Sequence, residues 1–123
     1  MAFSNQTVPT NLGTDIIIDE DAGSIGQDHV IGAAGTILVV MIDATLNKEG
    51  IYLKLCDTAS VTVDTVRPEM QFFCPGGDTI QYTIPEGIAF AAGISYFLAQ
   101  ESGAAIAPTA PTGKVKVYLT LTT

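Results

Sequence analysis

Residues 74–100 read CPGGDTIQYTIPEGIAFAAGISYFLAQ. Pro75, Gly76, Gly77 and Asp78 form a turn, after which Ile80, Tyr82 and Ile84 alternate with Thr79, Gln81 and Thr83, the period-2 spacing of a strand with one buried face. Pro85-Glu86-Gly87 stops that strand. Gly93, with no Cβ, allows a sharp change of direction before a second apolar strand, Ile94 to Ala99. The stretch predicts strand, corner, strand, with no helix and no reactive group.

The same reading extends in both directions. Thr14 to Asp19, with Ile16, Ile17 and Ile18, is a first short strand, followed by an acidic, glycine-containing loop from Glu20 to Gln27 and a second short strand at His29 to Ile31. Thr36 to Thr45 is a long strand whose middle, Ile37 to Ile42, has no polar alternation, so both of its faces should be covered. Leu46-Asn47-Lys48-Glu49-Gly50 has the composition of a hairpin turn leading to a return strand, Ile51 to Asp57, with Ile51, Leu53 and Leu55 inward and Tyr52, Lys54 and Cys56 on the other side. Ala59 to Arg67 reads as a connection, and Pro68 to Cys74 as a strand that sends Phe72 and Phe73 to opposite faces. After a long neutral loop, Ser102 to Gly113, the last strand is the cleanest: Val115, Val117, Leu119 and Leu121 on one face, Lys114, Lys116, Tyr118, Thr120 and Thr122 on the other.

Thirteen Ile, nine Val and fifteen Thr among 123 residues are side chains that suit a pleated surface and lose entropy in helices, which makes the fold all-β. The length suits one domain, divided here into an extended arm over 1–13 and a single β-sandwich over 14–123. A net charge of −8 repels phosphate and anionic headgroups, so nucleic acid is not an expected partner. The longest apolar run, Gly87 to Ala99, falls well short of the ~20 residues a membrane-spanning helix needs. Met1 to Val8 carries no basic residue and no apolar core, so no secretory signal is expected.

Eight or so short strands divided by Gly, Pro and Asn turns fit an antiparallel two-sheet sandwich of jelly-roll topology, with a closed small barrel second. Apolar residues at 37–42, Phe72-Phe73 and Tyr96-Phe97-Leu98 serve both faces of their strands, so something must cover part of an outer face. The amino-terminal arm is one candidate; a homo-oligomer contact is favoured.

Catalytic constellations are not found. The sequence has one histidine, His29, and no G-x-S-x-G, GxxxxGK[ST], H-E-x-x-H or G-x-G-x-x-G motif. Asp19, Glu20, Asp21 and Asp28 are acidic neighbours, but Gly23 stands where a calcium-loop ligand belongs and Val30 where the closing glutamate belongs, so a solvated loop is the expectation. Cys56 and Cys74 lack a CxxC spacing or a neighbouring histidine and read as buried structural thiols. No enzyme activity, cofactor or metal is expected.

Ile-Tyr-Leu-Lys-Leu at 51–55, a Thr/Val/Asp connection ending in Pro68, Pro75-Gly76-Gly77 with alternation after it, and Pro85-Glu86-Gly87-Ile88-Ala89-Phe90 followed by Gly93-Ile94 form a pattern over roughly residues 34–123. This pattern resembles small β-sandwich structural proteins of tailed bacteriophage virions. The resemblance implies a capsid decoration ("cement") protein on the outer head surface, assembled in the host cytoplasm, commonly trimeric and bound to the major capsid protein; a head or tail fibre module is the alternative. Cys56 and the acidic amino-terminal section depart from that pattern. Contacts with other copies or with the capsid are expected at Val8, Pro9 and Leu12 of the arm, at Leu38 and Val40 of the central strand, and at Ile106 and Pro108 of the long loop. The arm, which has too little apolar content to order itself, is the favoured attachment element.

Overall fold

A computed structural model describes residues 15–23, 27–31, 34–58, 68–103 and 109–122. The arm, the whole 59–67 connection, and Val8, Pro9, Leu12, Ile106 and Pro108 lie outside the described residues. Every element in the described residues is a strand: β1 (Asp15–Ala22), β2 (Gln27–Ile31), β3 (Gly35–Asp43), β4 (Ile51–Cys56), β5 (Met70–Cys74), β6 (Thr79–Phe90), β7 (Ile94–Ala99) and β8 (Val115–Thr122). They form two four-stranded antiparallel sheets, ordered β1-β8-β3-β6 and β2-β7-β4-β5. Each strand of the first half pairs with its counterpart counted from the other end: β1 with β8, β2 with β7, β3 with β6 and β4 with β5. The chain is thus a long two-stranded ribbon, closed between β4 and β5, and the added pairs β3–β8 and β4–β7 join its segments into the two sheets. The expected two-sheet antiparallel sandwich is present.

Period-2 alternation determines what lies between the sheets. Val115, Val117, Leu119 and Leu121 of β8 meet Ile37, Val40 and Ile42 of β3 on one side, and Ile51, Leu53, Leu55, Ile94, Tyr96 and Leu98 supply the other. Each fully buried aliphatic side chain of this set contributes roughly 1.5–3 kcal/mol relative to an exposed one. Phe72 is in the core and Phe73 outside, as their adjacency predicts. Two tyrosines fasten the sheets together: Tyr96 donates to Asp19 Oδ2 at 2.5 Å, joining β7 to β1, and Tyr82 donates to the Phe73 carbonyl at 2.5 Å, joining β6 to β5.

Three local expectations are corrected. Leu46–Gly50 is no hairpin, because β3 and β4 belong to different sheets. The segment crosses from one sheet to the other, and buried Asn47 holds it by donating to the Lys114 carbonyl (3.2 Å) and accepting from the Gly113 N–H (2.8 Å). Pro85-Glu86-Gly87 does not stop β6. Between the pairs Ile37–Ile88 and Val39–Thr83, the residues Ile84 to Gly87 stand opposite Leu38 alone, a large bulge on an edge strand, where a proline without an N–H costs no ladder bond. Gly87 (φ 76°) makes that bulge possible, because a Cβ there would also run into the Thr36 methyl. Finally β1 continues to Ala22, which takes Glu20 and Asp21 out of the expected loop and into the strand.

Candidate interaction surface

The two outer faces differ. On the second sheet Lys54, Cys56, Ser95, Phe97 and Ala99 point away from the core yet are buried. Lys54 Nζ donates to the Gly103 carbonyl at 2.6 Å and lies 5.7 Å from the centre of the Phe97 ring, while Gly103 N–H donates to Gln71 Oε1 at 2.9 Å. Ser95 Oγ donates to the Thr58 carbonyl at 2.5 Å. The residues that follow β7 and β4 therefore cover this face. The sequence left that role to the arm or to a second copy; at Lys54 and Ser95 the chain's own connections fill it. Burial lowers the Lys54 pKa, the nearby Glu101 carboxylate opposes that shift, and the carbonyl and ring meet the ammonium directly.

Among the described residues, nothing covers the outer face of the first sheet. Strand register places its side chains in two rows across all four strands: Ile18, Tyr118, Met41 and Gln81 in one, Ile16, Thr120, Val39 and Thr83 in the next. Ile16 is 67% exposed and Ile18 56%, whereas Val39, Met41 and Tyr118 are half-buried. Five of the eight positions are apolar or aromatic, a contiguous patch of the kind that marks an interaction site. Charge surrounds it unevenly. The strands of this sheet carry six carboxylates (Asp15, Asp19, Glu20, Asp21, Asp43, Glu86) and one lysine, Lys116; those of the other sheet carry Asp28 and Lys54. A second, smaller exposed group, Phe73 (40%) and Met70 (38%), lies on the β5 edge, with the Phe73 ring tilted against that of Tyr52 at 5.0 Å between centres.

Of the expected contact residues within the described chain, neither lies on this patch. Val40 is wholly buried between the sheets, with Leu119 and Tyr82 as its cross-strand neighbours. Leu38 sits under the Gly87 bulge at 7% exposure. Three successive isoleucines give no alternation, so Ile16 and Ile18 carry no local sign of exposure; the signal lies in the flanking carboxylates, which place the strand at a surface.

Chemistry elsewhere is sparse among the described residues. No group of three or more His, Cys, Asp or Glu is placed to hold a metal ion, and no helix is long and apolar enough to cross a membrane. A cleft of about 380 Å³ at one end, lined by Gly35, Thr36, Asp57, Phe90 and Thr122 among others, holds one carboxylate. That carboxylate is already engaged, since Asp57 accepts the Ala92 N–H at 2.8 Å and so fixes the turn between β6 and β7.

Both cysteines are free and buried. Burial pushes the Cys56 thiol up to about 11, with Glu69 adding to the shift, and burial also raises Cys74. The native protein should therefore react with a thiol reagent at pH 8 at least about a hundredfold more slowly than the unfolded chain, in which both sites label at once. Fast labelling of the native protein would mean that the face over Cys56 is open.

Four carboxylates pin connections: Glu49 accepts from Thr112 N–H (3.0 Å) and Oγ1 (2.7 Å), Glu101 from Thr109 N–H (2.7 Å), Asp43 from Thr45 N–H and Oγ1, and Asp57 from Ala92. These hydrogen bonds hold all four below their ordinary pKa values. A group whose folded pKa is depressed contributes stability above its unfolded pKa and loses it as pH falls through the folded value. Thermal melts should accordingly drop as pH goes below about 4, and Glu49→Gln, which cannot titrate, should show a smaller drop than the parent. Equal drops would remove Glu49 from the acid response.

Comparison with protein-family models, with curated proteins and with solved structures found no match to this chain.

Proposed function

We propose that the chain is a virion structural protein of a tailed bacteriophage, a decoration protein that binds the outer capsid surface and stabilises the head by contact. The observation that carries the reading is the open apolar face of the β1-β8-β3-β6 sheet, a surface for docking in a molecule whose other sheet is covered. The resemblance over residues 34–123 and the two buried free thiols, which suit assembly in a reducing cytosol, support it. Pairing of first strand with last, second with seventh and third with sixth supports reading the sandwich as a jelly roll. Three copies would bury Phe73 and Met70 around a three-fold axis and leave the β1 side to the capsid.

Electron microscopy of virions from the phage that encodes the chain tests the reading. Density for this fold at many symmetry-related capsid positions is the expected result; density confined to fibres would replace the proposal with the fibre module. Sedimentation at micromolar concentration should give a trimer, and a monomeric mass would remove that part. Binding to particles lacking the protein should weaken on deletion of residues 2–12 and vanish in Ile18→Lys.

A further inference from the structure

β1 is an edge strand, paired with β8 on one side and with no other strand among the described residues. From Asp15 to Asp19 its register with β8 is unbroken, so its outward row of N–H and C=O groups is regular over those residues. Side chains along the edge alternate in a particular way. Ile16 and Ile18 stand on the open outer face, and Asp15, Ile17 and Asp19 on the opposite one. Across β8 the two aspartates face Leu121 and Val117, so neither has a cross-strand counter-charge there; Asp19 already accepts from the Tyr96 hydroxyl (2.5 Å) and the Asp21 N–H (3.0 Å), both neutral donors that leave its charge unpaired.

We infer, on the reading of this face as the attachment surface, that the β1 edge receives an extended segment of a partner protein as an added antiparallel strand, and that the segment alternates as basic, apolar, any residue, apolar, basic. Directly opposed side chains in such a pair lie about 4.5–5.5 Å apart, so two apolar residues would extend the rows of Ile16 and Ile18 while two lysines or arginines met Asp19 and Asp15. The same chemistry selects against other occupants. Two copies of this chain pairing antiparallel about Ile17, the register that sets Ile16 against Ile18, place Asp15 against Asp19 of the other copy, and like charges directly opposite are destabilising. Residues 1–14 contain no lysine, arginine or histidine, so the chain's own amino-terminal segment has no cationic side chain to meet either aspartate. Carboxylates on an exposed edge are a common guard against self-pairing; here their spacing also specifies a partner.

The test uses the full chain and two fluorescein-labelled peptides, one carrying Lys-Val-Thr-Val-Lys and the other Glu-Val-Thr-Val-Glu, followed by anisotropy at low salt. The lysine peptide should bind about tenfold or more tightly than the glutamate peptide, Asp15→Lys should cancel that preference, and Ile18→Lys should abolish binding. Amide exchange of residues 15–19 should slow in the complex. Equal affinity for the two peptides, no binding up to millimolar concentration, or binding unaffected by Ile18→Lys would overturn the proposal. Lysine-peptide binding that appears only after deletion of residues 2–12 would give the edge to the chain's own amino terminus, and binding that appears only on dilution to monomer would give it to a second copy; both outcomes also overturn it. Peptide binding as expected, with no such density on virions, would overturn the capsid reading and leave the edge assignment standing.

Discussion

Val40→Asp should leave no folded protein at 25 °C. Val40 is fully enclosed in β3, with Leu119 of β8 on one side and Tyr82 of β6 on the other, and nothing basic is among these neighbours. An ionised carboxylate there is unpaired, and a protonated one still lacks acceptors, so the cost is at least several kcal/mol against the roughly 5–15 kcal/mol that holds a domain together. Far-UV circular dichroism should show the β signal lost, or a urea midpoint moved most of the way to zero. Val40→Ala, which only empties volume, should remain folded and lose about 2–3 kcal/mol. An aspartate variant with the parent midpoint would place this side chain at a surface, as the sequence alone suggested.

Gly76→Ala is expected to cost about 2–3 kcal/mol, a large effect for one methyl group in a turn. A Cβ on Gly76 would fall on the backbone of Lys48 and Glu49, in the segment that crosses between the sheets. The turn that carries Gly76 is not free to yield. Ala44 N–H donates to the Asp78 carbonyl at 2.9 Å and Gly77 N–H to the Ala44 carbonyl at 3.0 Å, so relief of the clash breaks bonds that hold β3 to the start of β6. Chemical denaturation of the variant reads the cost directly; a loss under about 0.5 kcal/mol would mean that the turn moves away without penalty.

The faces of the strands were legible and their partners were not. Alternation in β8 and the Phe72-Phe73 pair report which side of a strand is buried, because the side-chain period is a local property. Asn47 and Gly50 suit a hairpin and a sheet crossing equally, and what separates the two is a hydrogen bond to residues near position 113 that no local pattern displays. Pro85 reads as a stop unless the strand is known to be an edge. Apolar residues on both faces of β7 announced a cover correctly, but the residues that supply it at Lys54 lie 49 positions away in sequence. The open face was hidden for the opposite reason: Ile16-Ile17-Ile18 is uniform, and register with β8 alone shows that two of the three point outward.

The position of β8 has a consequence for how the chain is made. It is synthesised after every other strand of the two sheets, yet it lies inside the first sheet, between β1 and β3. Until it arrives β1 has no described partner, and β3 shows the ribosome's surroundings an unpaired flank lined with Ile37, Val40 and Ile42. Closure of the sheet therefore waits on the longest-range pairing among the described strands, which makes for slow folding and a window in which foreign strands compete for the vacancy. A nascent chain halted before Val115 would be a substrate for chaperones, since its first sheet would still be in two pieces.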